Sequence, residues 1–334
     1  MEKYHKCIIF CKTKLTGMFR YKDEFQIYPA DFEGMPKSSM QEHHPIVLEY
    51  IIRDDEKIVP HSDYEELKDL RTLTASTITK QDIIISLLTL FTNHNFFRYY
   101  DLTGTWGLPI LKENAGEEMN TWSSKWNWAM FHWPQYPEQF KINGFTEVGY
   151  SEVELINYWK YYFHEPNFDN YSDREITFPN LITQGLDSYF GKSKEIKIVL
   201  NSAMSFIVNA MELRMYRKTM SVIASFTAIE TMVNFEYKDF KPLICEKCNQ
   251  PQFKVSEKYR KYLLKYIGDN DNNKKKFNAL YKFRSSIIHT GQKLKTENLY
   301  NDLTKEEKDK EFLNQVEILQ LSRLSVVNWL IINK

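Results

Sequence analysis

The chain has 334 residues, 43% hydrophobic and 15% aromatic, enough apolar material for two domains and too much for a disordered chain. Its 44 Lys and Arg balance 44 Asp and Glu, which excludes a polycationic nucleic-acid coat and requires any RNA surface to be local. Only Cys7 to Cys11 separate the charged start from Lys12, too short a run for a signal-peptide core, and the longest uncharged runs, Ile83 to Phe97 and Ile198 to Met211, fall short of the ~20 residues that span a bilayer.

With four cysteines, the expectation is a cytoplasmic protein in a reducing compartment, without a membrane partner. In chain order, His5 to Lys12, Glu24 to Tyr28 and Pro45 to Ile52 carry strand patterns, and Glu42-His43-His44-Pro45 reads as a polar lead-in to the third. Ile78 to Phe97 has helical spacing through Ile83, Ile84, Leu87, Leu88 and Phe91. Trp122, Trp126, Trp128 and Trp133, with Phe131 and His132, form a dense aromatic block that suits a core plug or a recognition surface. Asn143-Gly144 is a tight-turn signal. Turn-forming residues concentrate from Glu165 to Asn180, which divides an α+β sensor or regulatory domain, 1–177, from a helical domain, 178–334.

Beyond that boundary the periodic stretches are Lys194 to Met215, Thr219 to Phe235, Ser256 to Ile267, Lys274 to His289 and Lys310 to Ile332, the order of a helical bundle. The charge run Lys305 to Glu311 reads as the opening of the last helix. Cys245 and Cys248 are half of a tetrahedral zinc site; a zinc completed by distant ligands or a dimer mate would be structural. Cys7 and Cys11 have a less typical spacing. Asp269 to Asn273 hints at a calcium loop, but Lys274 and Leu280 stand where Gly and Glu are needed.

Residues 254 to 284 hold ten Lys or Arg against three acidic residues, a local excess of +7. Lys254, Lys258, Arg260, Lys261, Lys274, Lys275, Lys276 and Lys282 are the candidate phosphate contacts. Phe253, Tyr259, Tyr262, Tyr266 and Tyr281 are interleaved with them, able either to stack unpaired bases or to pack inward beneath a solvated face.

The tract runs into Tyr281-Lys-Phe-Arg-Ser-Ser-Ile-Ile-His-Thr-Gly291. Phe277, Leu280, Tyr281, Ile287 and Ile288 make an apolar stripe, and Gly291 suits a left-handed C-cap that leaves His289 in the last turn. Cleavage of RNA by its own 2′-hydroxyl needs a base, an acid and positive charge against the phosphorane. His289 can move protons, and the helix C-terminus would favour its protonated form. Arg284 can clamp two phosphate oxygens, and both side chains are expected to project into a solvated cleft. Five residues turn a helix by about 140°, so a facing copy could be needed to complete the site. Glu230, in an apolar stretch, needs a partner, for which a neighbouring Lys or Tyr would serve.

The Arg284 to His289 segment resembles the motif of the HEPN domains, an Arg followed after four to six residues by a His near a helix end, and within them the Apea-like branch associated with bacterial defence against phages. Ser221 to Val233 resembles the family's apolar helix carrying a central acidic residue, here Glu230; the likeness covers roughly residues 178 to 334. It differs at Ser285, where active members commonly carry Asn, Asp or His next to the Arg. The resemblance implies an all-α bundle and a metal-independent endoribonuclease without a catalytic cofactor, acting as a homodimer through that domain in a toxin or abortive-infection system. It implies catalytic roles for Arg284 and His289, an orienting role for Glu230, and Ser285 beside the RNA. The N-terminal half would sense a trigger or tether the enzyme, and a phage-derived trigger or an antitoxin would be a partner. The rivals are a non-catalytic HEPN module binding RNA, nucleotide or a partner protein, and a dimerisation scaffold whose aromatic N-terminal half does the recognition.

Overall fold

A computed structural model describes residues 3–30, 44–59, 68–98, 142–164, 175–244 and 251–334, with 105–111 and 126–132 as strand backbone. The fold is α+β and divides into two units, Met1–Asn180 and Leu181–Lys334, the first rich in strands and the second a helical bundle.

Strands β1 (Lys3–Cys11), β2 (Phe19–Tyr21), β3 (Phe25–Pro29), β4 (His44–Ile52) and β5 (Phe96–Phe97) form an antiparallel sheet in the order β2-β3-β4-β1-β5. β1 pairs with β4 from Lys3 opposite Ile52 to Cys11 opposite His44. The run Ile46 to Ile52 is buried throughout, as a strand covered on both faces requires. Helix α1 (Lys68–Phe91) packs on β4 and β5 and buries Ile84, Leu87, Leu88 and Phe91. It stops at Phe91 rather than Phe97 because the Thr92 hydroxyl donates to the Leu88 carbonyl and Phe96 and Phe97 pair with β1. Its first turns, ahead of Ile78, are polar and carry little apolar periodicity to announce them.

At the centre of this sheet Glu49 is fully buried. It accepts hydrogen bonds from Gln26 (2.7 Å), the Tyr28 hydroxyl (2.7 Å) and both the amide and hydroxyl of Thr146 (2.8 and 2.6 Å), and Lys6 lies 3.2 Å away. Burial alone would raise its pKa, but the bonds from Thr146 and Tyr28 and the charge of Lys6 outweigh it, so the carboxyl titrates below its ordinary range. Asn143 and Gly144 form a bend leading to Thr146 rather than a hairpin turn.

Strands β6 (Thr105–Leu111) and β7 (Trp126–His132) pair antiparallel, with Trp106 opposite Phe131 and Leu111 opposite Trp126. Trp126, Trp128, Phe131 and His132 of the aromatic block thus lie on one strand, and Trp122 and Trp133 fall outside the described residues. The block's side chains, and with them the choice between plug and recognition surface, lie outside them too. The parallel pair β8 (Leu155–Ile156) and β9 (Phe178–Pro179) keeps residues 178–180 with the first unit.

The second unit contains α2 (Ile182–Phe190), α3 (Lys194–Leu213), α4 (Lys218–Glu236), α5 (Val255–Ile267), α6 (Asp271–Thr290) and α7 (Lys305–Ile332), with a short hairpin, Leu243–Ile244 against Pro251–Gln252, before α5. α7 packs against α2, α3, α4 and α5. From Ile318 to Leu330 it is enclosed on every side, with only Gln320 and Asn328 half-buried, and Ser322, Arg323 and Ser325 are buried among its apolar residues. Its first turn is the expected charge run, closed by a capping box between Thr304 and Glu307. By length and composition α3 could cross a membrane; here Leu200, Ala203, Met204, Ile207 and Ala210 are buried in a helix that packs on α4 and α7.

Candidate active site

Helix α6 starts where Asn270 accepts the Asn273 amide at 2.8 Å, while the Asn273 side chain donates to the Gly268 carbonyl. The Asn-rich run that hinted at calcium is therefore an N-cap. At the other end the Gly291 amide donates to the Ile287 carbonyl with φ +66°, a left-handed conformation that favours glycine.

Phe277, Leu280 and Ile287 are buried at the spacing of one helix face. Arg284 is spaced three, four and seven residues from them and so falls on that same inward stripe, where a cation needs a carboxylate. Glu230 of α4, one turn after the buried Phe226, supplies it. Arg284 Nε donates to Glu230 Oε1 at 2.7 Å and Nη2 to Oε2 at 3.2 Å. The side chains are 15% and 23% exposed, so Arg284 does not project freely into solvent as expected from sequence. Two parallel bonds fix the guanidinium plane, which passes 5.9 Å from the Tyr281 ring. Of the alternatives open for Glu230, the partner among the described residues is Arg284.

Position 289 lies in the last turn of α6; the His289 side chain lies outside the described residues. It stands seven residues after Lys282 and fourteen after Lys275, so these three positions share one face, about 140–180° from position 284. Arg284 and His289 occupy different faces of one helix. Ser285 is half-buried beside the pair.

Acidic neighbours neutralise part of the basic tract. Lys254 and Lys261 both meet Glu257 (3.5 and 2.7 Å), Lys274 meets Asp269 and Asp271 (3.1 and 3.4 Å), and Lys276 meets Glu317 at 2.5 Å. Lys258 lies 3.9 Å over the Phe240 ring, and Arg260 donates to Asn278. Lys275 and Lys282 are exposed and have no carboxylate partner among the described residues. The aromatics divide the other way: Tyr259, Tyr262 and Tyr266 are at most 3% exposed and belong to the core, leaving half-buried Tyr281 and exposed Phe253 as the aromatic surface. Base stacking on the three buried rings is ruled out by their packing.

Cys245 and Cys248, the expected half-site for zinc, fall outside the described residues. Among the described residues no group of three or more His, Cys, Asp or Glu is placed to hold a metal. Cys7 and Cys11 lie on β1, and burial pushes the Cys7 thiol up to about 12. Comparisons with protein-family models, curated proteins and solved structures find no match to this chain.

Proposed function

We propose that the helical unit is a metal-independent endoribonuclease of HEPN type, cutting RNA by attack of its own 2′-hydroxyl, with the strand-rich unit as sensor of a phage-derived trigger or as antitoxin contact. The observation that carries this reading is the pairing of Arg284 with Glu230. A cation drawn onto an apolar helix stripe and held by two bonds is kept charged and in place until RNA binds, so that its fork is set on the phosphate before the chemistry and stabilises the phosphorane from there. Glu230 is then a positioning residue. His289 would serve as the proton-transfer group one turn further on.

Lys275 and Lys282, on the face that includes position 289, support a path for single-stranded RNA toward the helix end. Because positions 284 and 289 lie about 140° apart, the reading requires two copies of α6 in one cleft, the His289 of one serving the phosphate held by Arg284 of the other. The 2′-hydroxyl gives its proton to a base as its oxygen attacks phosphorus, the bond from phosphorus to the 5′-oxygen breaks, that oxygen leaves with a proton from an acid, and a 2′,3′-cyclic phosphate remains, His289 being one of these two proton-transfer groups. Incubation of RNA with purified protein in EDTA, followed by analysis of the cut ends, tests this.

One observation favours a second reading, a non-catalytic module that binds RNA through its basic face: Glu230 already engages two nitrogens of Arg284. Binding of RNA without any cleavage would select it.

A further inference from the structure

Tyr259 on α5 is 1% exposed, and its hydroxyl is buried with no hydrogen-bond partner among the described residues. Its ring sits between Phe226 of α4, 6.4 Å away, and Tyr281 of α6, 5.4 Å away. Phe226 stands one turn before Glu230 and Tyr281 one turn before Arg284, so Tyr259 flanks the ion pair from a third helix. Burial, then the negative charge of Glu230, push its pKa well up while Arg284 draws it down, and the group stays a protonated donor at neutral pH. Folded proteins keep few buried hydroxyls without an acceptor, because each has lost its hydrogen bonds to water.

A phosphate that recruits Arg284 must compete with Glu230. The carboxylate, only 23% exposed, would then lose its cation in a poorly solvated place. We propose that Tyr259 is a positioning residue that resolves this conflict: as Arg284 turns to a phosphate, the Glu230 carboxylate moves onto the Tyr259 hydroxyl. The exchange rests on the reading of Arg284 as a phosphate ligand. No covalent bond changes; the bonds between Arg284 and Glu230 give way to one set from Arg284 to phosphate and one from Tyr259 to Glu230.

The test uses the full chain and a 2′-O-methyl oligoribonucleotide, which lacks the attacking hydroxyl. Its affinity is measured by calorimetry for the wild type, Tyr259→Phe, Glu230→Gln and the double variant, with melting temperatures and cleavage of unmodified RNA followed in parallel. Tyr259→Phe should bind about tenfold more weakly, the scale of one hydrogen bond to a charged group. Its melting temperature should be unchanged or higher, since the hydroxyl has no partner to lose. In the Glu230→Gln background, where no charge is stranded, the same substitution should change affinity by less than about twofold, within the error of additivity. A purely structural hydroxyl predicts the reverse, a lower melting temperature and equal affinities. Equal losses in both backgrounds, or a wild type that does not bind the oligonucleotide, overturn the exchange. Cleavage without coupling keeps the ribonuclease and removes Tyr259 from it; coupling without cleavage keeps the exchange and removes the ribonuclease.

Discussion

Arg284 of α6 and Glu230 of α4 close a two-point ion pair, at 2.7 and 3.2 Å, between helix faces that are otherwise apolar. Fifty-four residues apart in sequence, they tie the helix that carries the Arg284 to His289 segment to the largely apolar helix that carries Glu230.

Truncating one member strands the other. Glu230→Ala should lower stability by about 1–3 kcal/mol in urea unfolding, because the Arg284 cation stays largely enclosed without its acceptor. Glu230→Gln, which keeps an acceptor oxygen, should cost less. Equal stability of the alanine variant and the wild type would mean that the pair is solvated and contributes nothing.

A second prediction concerns Glu49, whose carboxyl titrates below its ordinary range in the folded chain. Its contribution is therefore complete above the unfolded pKa, about 4.3, and is lost as pH falls through the lower folded value. The urea midpoint of the first unit should fall on acidification below about pH 4, and Glu49→Gln should flatten that fall. Removal of the carboxylate, with Lys6, Tyr28 and Thr146 left facing the gap, should cost about 3–5 kcal/mol. An acid profile identical in the wild type and the variant would contradict the assignment.

Salt dependence separates the lysines of the basic tract. Charge reversal at Lys275 and Lys282, which lack carboxylate partners among the described residues, should reduce the slope of log affinity against log salt by at least about 1.4, at ~0.7 per contact on single-stranded RNA. Reversal at Lys274 and Lys276 should change it less, since Asp269, Asp271 and Glu317 already neutralise them. Filter binding over a salt series measures both, and the opposite ranking would move the RNA path off the 275 and 282 face.

The helices were legible where apolar residues recur at helical spacing over several turns, as in α4 and α6, and Gly291 marked the end of α6 through the conformation it adopts. α2 escaped notice because it is only nine residues long and contains Gly185, which reads as a breaker but lies buried at 182–190 with Ile182, Leu186 and Tyr189. Glu49 was hidden by its strand: alternation shows which face a residue takes, not that Gln26, Tyr28 and Thr146 will converge on it. The tyrosines of the basic tract could have been sorted by period, since Tyr259, Tyr262 and Tyr266 recur at three and four residues and share one face of α5. What spacing could not reveal is that the Tyr259 ring would pack against Phe226 and Tyr281, each one turn before a member of an ion pair formed by two other helices.

The most direct measurement is cleavage of an end-labelled single-stranded RNA in EDTA by the wild type, His289→Ala and Arg284→Lys. The lysine variant keeps a cation for Glu230 and loses only the planar fork, so folding and chemistry are read apart. The wild type should cut and leave 2′,3′-cyclic phosphate ends or their hydrolysis products. Each variant should lose at least about 10²-fold in turnover while RNA affinity changes little, as for groups that act in the transition state. A folded wild type that binds RNA without cutting it, or variants that cut at the wild-type rate, would contradict the catalytic assignment of Arg284 and His289.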